Sequence, residues 1–249
     1  MELPTTRVEH AEEFVSGAAI GEITAALPTA SVDRSLPYAA LEDVPGVVFV
    51  AGFALLKAGY LTEDPSTGPA RAAHQADVCA GWATGTPLLQ ILERDGRAVV
   101  PTGPVAPELE AADPDGWHEL PTLDQGTVRR RRCLDVAPAP GGGFTLVAHM
   151  RDSYRDVDRE MVLHEYVVRL ALDDDGVVEA IEVEPRVLPW DECPSAAASA
   201  QRIVGIEVAE LPGIVRGDLV GASTCTHLNS TIRTLADAAS LIHDLTGEL

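Results

Sequence analysis

The feature that most constrains the fold is a run of three strand-like segments between residues 144 and 185. Residues 144–151 alternate between a mainly apolar and a mainly polar face, which is the period of a half-buried β-strand. Residues 161–172 and 177–185 predict two more strands, and Asp173-Asp174-Asp175-Gly176 between them is typical of a tight turn. Because strands joined by a hairpin run antiparallel, the block predicts a three-stranded antiparallel sheet.

After this block the apolar residues take helical spacing. Residues 194–204 are mostly small and predict a helix with Pro194 in its first turn and Gly205 at its end. Ser223 or Thr224 can cap a last helix with one apolar stripe. The stripe consists of Leu228, Ile232, Leu235, Ala239 and Ile242. Strands followed by helices predict an α+β fold, with the sheet covered by helices in the C-terminal half and packed against a mainly helical N-terminal half.

The N-terminal half is less regular. Residues 5–27 predict a helix, whereas the apolar run 47–56 fits either a buried strand or a short core helix. Residues 70–83 also have helical spacing, and residues 87–93 predict another short ordered segment. Residues 101–121 are rich in proline and acids, which is typical of a linker or of a long surface excursion.

We therefore expect an N-terminal α/β portion over residues 1–110, a proline-rich linker over 111–127 and a C-terminal domain over 128–249. Residues 20–28 resemble residues 204–212, so the N-terminal portion is also a candidate for a degenerate, truncated copy of the C-terminal one.

The charge balance excludes some partners. The chain has 39 acidic and 18 basic side chains, a net charge of −21, whereas nucleic acid and anionic membranes are bound through basic surfaces. No apolar run is long enough to span a membrane, and the first eleven residues do not resemble a signal peptide, so we expect a cytoplasmic protein. In that compartment cysteines are expected as free thiols or metal ligands. The chain has Cys79, Cys133, Cys193 and Cys225.

The sharpest candidate site combines Cys193 with Cys225 and His227. Cys193 lies where the third strand ends and a helix begins, and the unpaired N–H groups and dipole at a helix start favour a thiolate. Cys225 and His227 lie at the start of the last helix. Sulfur and imidazole together suit Zn²⁺ or iron. The alternative is that Cys225 packs under Leu228 and that His227 is solvated.

His164 is the second candidate. It shares the apolar face of its strand with Tyr166 and Val168, so it needs a hydrogen bond or a metal there. His164 and Glu192 are the candidate general acid/base residues. The alternative is a core histidine bonded to a backbone carbonyl. His149, on the polar face of its strand, is expected to be exposed.

The run Arg129–Arg132 is the basic cluster of an acidic chain. It could recognise a carboxylate or a phosphate through planar, two-pronged contacts. It could equally be an edge strand whose alternate arginines pair with surface acids, and this second interpretation is favoured because charge runs are usually solvated.

Several of these motifs follow one another in a recognisable order. They are Arg129–Arg132, Asp152, His164-Glu165, Pro189–Cys193 and Cys225-Thr226-His227-Leu228. Through them residues 128–245 resemble an uncharacterised bacterial domain family, whose name records no function. More distantly, the segment resembles the iron–sulfur cluster scaffold proteins, in which a cysteine stands at the place of Asp152. That departure favours a mononuclear ion over an all-thiolate cluster.

We expect a metal-dependent enzyme that acts on a small, partly apolar organic substrate by lyase, isomerase or hydrolase chemistry. In this interpretation Asp152, Cys193, Cys225 and His227 hold one Zn²⁺ or iron ion. The alternative is a non-enzymatic scaffold or carrier for metal or sulfur. The sequence is compatible with a homo- or hetero-oligomer, and it lacks the common motifs of nucleotide-binding proteins and hydrolases.

Overall fold

The computed structural model describes residues 36–60 and 63–246 of the 249-residue chain. Within this part, one antiparallel sheet has its strands in chain order. The strands are β1 (Val128–Pro138), β2 (Phe144–Arg155), β3 (Glu160–Leu172) and β4 (Val178–Val187). The helix expected over residues 5–27, and with it one copy of the proposed internal repeat, lies outside the described residues.

The expectation of a three-stranded sheet is wrong, although the α+β class holds. Residues 128–138 add a fourth strand, β1, which pairs with β2 along its whole length and forms one edge of the sheet. In the first half of β1, arginines occupy both faces of the strand, so apolar and polar residues do not alternate there. Hydrophobic periodicity therefore gave no signal for it, and the edge strand favoured for Arg129–Arg132 was not included in the predicted sheet.

The register of β2 and β3 decides which side chains share a face. Asp152 lies opposite His164, and Arg151 lies opposite Glu165. An irregularity between Asp152 and Ser153 shifts the register beyond this point, as a β-bulge does. Asp152 and His164 consequently face the helices, and Arg151 and Glu165 occupy the opposite face, called the outer face below.

The C-terminal helices cover the inner face of the sheet. The helix expected over residues 194–204 is a 3₁₀ helix that spans Cys193–Ile203, and Gly205 lies just beyond its end with a φ of +84°. Three α-helices follow: α5 (Leu211–Asp218), α6 (Thr226–Thr234) and α7 (Ala238–Thr246). The expected last helix is thus interrupted by a 3₁₀ turn at Leu235–Asp237, and its N-cap is Cys225 rather than Ser223 or Thr224.

The main core lies between the inner face and these helices. Its fully buried side chains include Leu146, Met150, Tyr166, Val168, Ile203, Leu211, Leu228 and Ile232. Burying a side chain of this size contributes about 1.5–3 kcal/mol. Leu228 and Ile232 are one helical turn apart and lie on the same side of α6. Because both are buried in this core, the first turn of α6 lies against β2 and β3.

The N-terminal helices pack beside this core. The apolar run 47–56 lies within α1 (Leu36–Lys57), so of the two alternatives it is helical. The ordered segment expected at 87–93 is α3 (Pro87–Asp95), whereas the helix expected over 70–83 is shorter, since α2 (Gly68–Gln75) ends before Asp77 takes a φ of +61°. Val50 and Ala54 of α1 pack with Tyr154 and Leu163 of the sheet.

The proline-rich segment is a surface excursion that is tied to the sheet. Pro104 accepts a 2.9 Å hydrogen bond from Val162, and Ala106 donates one of 2.8 Å to Glu160. The segment includes the single turn α4 (Leu109–Ala112). The division into portions at residues 110 and 127 stays a prediction. Among the described residues, no helix combines the length and apolar character that crossing a membrane requires.

Candidate metal centre

Three side chains meet on the inner face: Asp152 from β2, His164 from β3 and His227 from the first turn of α6. One ligand atom of each lies within 4.8 Å of the others. Oδ2 of Asp152 is 3.8 Å from Nδ1 of His164 and 3.7 Å from Nε2 of His227. The three residues are between 1% and 5% exposed, so the group is withdrawn from solvent.

Two local features bring His227 to the strands. Cys225, the N-cap of α6, is extended, and the helix begins immediately after it at Thr226. Leu228 and Ile232 are fully buried, which holds this end of α6 against the sheet. The second residue of the helix therefore lies above the Asp152–His164 pair instead of in solvent.

Burial favours the neutral form of both imidazoles. Burial lowers the pKa of His164 to about 4, with the Asp152 charge opposing this shift and Arg130 adding to it. Burial, followed by His164 and the nearby arginines, places the pKa of His227 well below its usual value. The neutral imidazole is the form that binds a metal ion.

The Asp152 carboxylate is held by an arginine of β1. Arg130 donates from Nε to Oδ1 at 2.7 Å and from Nη2 to Oδ2 at 2.8 Å. It also contacts Asp43 of α1 at 3.1 Å, and Asp43 accepts a 2.6 Å hydrogen bond from Arg132. A carboxylate has about four lone-pair positions, so Oδ2 of Asp152 retains acceptor capacity towards the histidines.

These contacts bear on the two interpretations of the arginine run. The expected edge strand is confirmed, and each of its four arginines pairs with an acid. Arg130 and Asp152 are however almost fully buried, so this pair is not a surface contact. Sequence reasoning missed Asp43 and Arg130 as neighbours of the site, because they lie 87 positions apart.

The group contains two of the four metal ligands expected from the sequence, Asp152 and His227. His164, expected to transfer protons, lies inside it as a third ligand candidate. Among the described residues, the group with ligand atoms within 4.8 Å includes neither cysteine. Sγ of Cys225 is 4.0 Å from Nδ1 of His227, at the ring nitrogen other than the one nearest Asp152.

Cys193 and Glu192 lie at the 3₁₀ helix. Cys193 is buried next to Gly81, where an added Cβ would lie 3.0 Å from its Sγ. Burial, followed by the neighbouring Cys225 and Cys79, raises the pKa of Cys193 to about 12. This is the opposite of the expected thiolate, because burial outweighs the effect of the short helix end. Glu192 is partly exposed, and its backbone carbonyl accepts a hydrogen bond from Ser195.

His149 is not exposed as expected. Its ring is half-buried on the outer face, where Nε2 is 2.9 Å from Oε1 of Glu165. Glu165 also accepts two hydrogen bonds from Arg151, at 2.8 and 3.1 Å. Burial raises the pKa of Glu165, but the hydrogen bonds and charges of His149 and Arg151 outweigh it and lower the pKa to about 2. This network stabilises the face opposite the Asp152 group.

Residues 128–241 match the model of a family described as "Protein of unknown function (DUF2889)". The match includes all four strands and Asp152, His164 and His227, and it confirms the resemblance of this part of the chain to an uncharacterised domain family. No curated protein and no solved structure gives a significant match to the chain.

Proposed function

We propose that the chain is a metal-dependent enzyme that binds one Zn²⁺ or iron ion through Asp152, His164 and His227. It would act on a small, partly apolar organic substrate by lyase, isomerase or hydrolase chemistry. The observation that carries this proposal is the buried Nδ1 of His164, which has no hydrogen-bond partner among the described residues and faces Asp152. An unsatisfied buried polar atom costs about 1–3 kcal/mol, and a bound ion would remove that cost.

The donor set supports catalysis over a purely structural ion. Catalytic zinc sites use three protein ligands and keep a fourth position open, and two histidines with one carboxylate also suit non-haem iron. An ion bound there would polarise a substrate oxygen or lower the pKa of a bound water. Arg130 would orient the Asp152 carboxylate, as hydrogen-bonded neighbours of metal ligands commonly do.

The side chains next to the Asp152 group are apolar, which is the basis for proposing a partly apolar substrate. Met150 and Tyr166 form the next cross-strand pair on the same face, and neither is exposed. Leu228 follows His227 on α6 and is also fully buried. The side chains that border the Asp152 group on the sheet and on the helix are thus apolar and belong to the main core.

The alternative, a scaffold or carrier for metal or sulfur, is favoured by a different observation. Cys79, Cys193 and Cys225 are all buried, and burial, followed by the interaction with Cys225, raises the pKa of the Cys79 and Cys193 thiols. The backbone N–H of Ala80 donates to Thr224 at 2.8 Å, which brings the segments of Cys79 and Cys225 together. Thiolates are the ligands of iron–sulfur clusters, but the three Sγ atoms do not all lie within 4.8 Å of one another and are fewer than the four thiolates of common clusters.

Cobalt substitution tests the proposal. The purified chain is stripped of metal, loaded with Co²⁺ and titrated with thiocyanate while the visible spectrum is followed. We expect about one Co²⁺ per chain and a spectrum that thiocyanate changes, since an open position accepts an external ligand. His164→Gln should abolish Co²⁺ binding, and the matched control His149→Gln, a histidine of the outer face, should retain it.

Two outcomes would overturn the assignment. A spectrum that thiocyanate does not alter, with strong thiolate-to-cobalt absorption, would indicate a closed cysteine site. Acid-labile sulfide in the protein as purified, together with its transfer to an apo acceptor, would establish the scaffold alternative.

A further inference from the structure

The outer face of the sheet carries a second cluster of arginines. Arg130 and Arg132 of β1 face α1 and bond Asp43, whereas Arg129 and Arg131 between them contact Glu160 and Glu110 on the outer side. Side chains alternate along a strand, so the run of four arginines is divided between two faces. Its outer half is not part of the proposed metal centre.

A cavity of about 620 Å³ lies between this face and residues 106–110 and 119–122. We call it the outer cavity. Arg129 and Arg131 of β1 line it, together with Arg151 and Arg155 of β2. Its volume is within the range of about 300–1,000 Å³ that is usual for small-molecule sites.

Three of these arginines hold the covering segment in place through backbone carbonyls. Arg131 donates to His118 at 2.8 Å, Arg151 donates to Pro107 at 2.6 Å, and Arg129 donates to Pro121. Arg131 also lies over the ring of Trp117, 4.8 Å from its centroid. These contacts tie the residues that border the cavity to the outer face of the sheet.

Arg155 differs from the other three. It is partly buried, and its side chain makes no hydrogen bond or ion pair with any residue that the structure describes. It lies opposite Glu160 in the strand register, but Glu160 accepts from Ser153 and contacts Arg129 at 3.4 Å. A guanidinium in this position lacks the carboxylate that its planar donors would bind.

We propose that the outer cavity binds a small organic anion whose carboxylate or phosphate group is held by Arg155 and Arg129. Four glutamates also line the cavity: Glu110 and Glu160 pair with Arg131 and Arg129, whereas Glu108 and Glu119 have no such arginine contact among the described residues. The ligand should therefore carry hydroxyl or amino groups that donate hydrogen bonds to Glu108 and Glu119. With a net charge of −21, the chain as a whole repels anions, and recognition must come from these local donors. The site is on the face opposite Asp152 and does not depend on the proposed metal centre.

Titration calorimetry on the metal-free full chain tests this inference, with L-malate and inorganic phosphate as probes at constant ionic strength. We expect at least one probe to bind with one site per chain. Arg155→Gln should weaken binding about 10- to 100-fold, the usual effect of losing a charge-assisted hydrogen bond, and Arg155→Lys should restore part of it. Arg159→Gln is the matched control, because Arg159 is exposed and contacts Asp158 at 3.4 Å.

Three results would overturn the inference: no binding of either probe, binding that Arg155→Gln leaves unchanged, or an equal loss in Arg159→Gln, which would indicate unspecific attraction. Because the calorimetry uses the metal-free protein, none of these results tests the metal centre. Binding of a probe to the outer cavity would remain valid even if the cobalt experiment shows no metal centre.

Discussion

The imidazole rings of His164 and His227 lie face to face, with centroids 3.6 Å apart and planes inclined by 17°. Each ring directs one nitrogen towards Oδ2 of Asp152. Two charged imidazoles would repel each other at this distance, and burial lowers the pKa of each ring, so the stack favours the neutral form of both. A neutral pair of histidines beside a buried carboxylate is the relationship on which the proposed metal centre depends.

The two ligand sets make opposite predictions for Cys193. If the ion is held by Asp152, His164 and His227, Cys193→Ser should keep about one metal ion per chain, whereas His227→Gln should lose it. Metal content is measured by mass spectrometry on matched preparations after dialysis. If Cys193→Ser loses the ion and His164→Gln retains it, the set expected from the sequence is correct and the geometric set is not.

Removal of Arg130 should destabilise the protein strongly. Arg130→Met leaves the Asp152 carboxylate buried without its cation, which typically costs about 3–5 kcal/mol. Arg169→Met is the control, because the Arg169–Glu184 pair is about 40% exposed and pairs of this kind contribute about 0–1 kcal/mol. Urea unfolding of both variants measures the difference. Equal effects would show that the buried pair is not important for stability.

Glu165 should make stability depend on pH in acid. The pKa of Glu165 is lowered to about 2 in the folded protein against an unfolded value of about 4.5, so its contribution is complete above pH 4.5 and is lost as pH falls towards 2. The lowered pKa corresponds to at most about 3 kcal/mol. The difference in unfolding free energy between wild type and Glu165→Gln should shrink from pH 5 to pH 2. A constant difference would contradict the assignment.

Gly103 should not tolerate a side chain. A Cβ at this position would collide with the backbone carbonyl oxygen of Val162, next to the hydrogen bonds that tie residues 104–106 to β3. Gly103→Ala is expected to cost about 1–3 kcal/mol, as overpacking does. Gly213→Ala in α5 has open space and should stabilise by up to about 1 kcal/mol. Thermal unfolding of the two variants compares these opposite signs.

Local patterns were sufficient for much of the sheet and for one site residue. The turn at Asp173–Gly176 and the flanking apolar segments located β3 and β4, because strand period and turn chemistry act over a few residues. The same alternation placed His164 on the buried face and Glu165 on the other, as the structure confirms. Whether residues 47–56 form a strand or a helix could not be decided this way, since a short apolar run fits both.

The fourth strand and the assembly of the site depend on pairing between residues that are distant in the sequence. Strand β1 was left out of the predicted sheet because it has arginines on both faces and therefore no apolar–polar alternation where it begins. Its inner arginines can be buried only because they pair with Asp152 and Asp43, which are distant in the sequence. The meeting of Asp152, His164 and His227 depends on the β2–β3 register and on the packing of α6. A slip of one residue would have moved Asp152 to the outer face, and the burial of the whole sheet face against the helices, rather than any local pattern, selects the register.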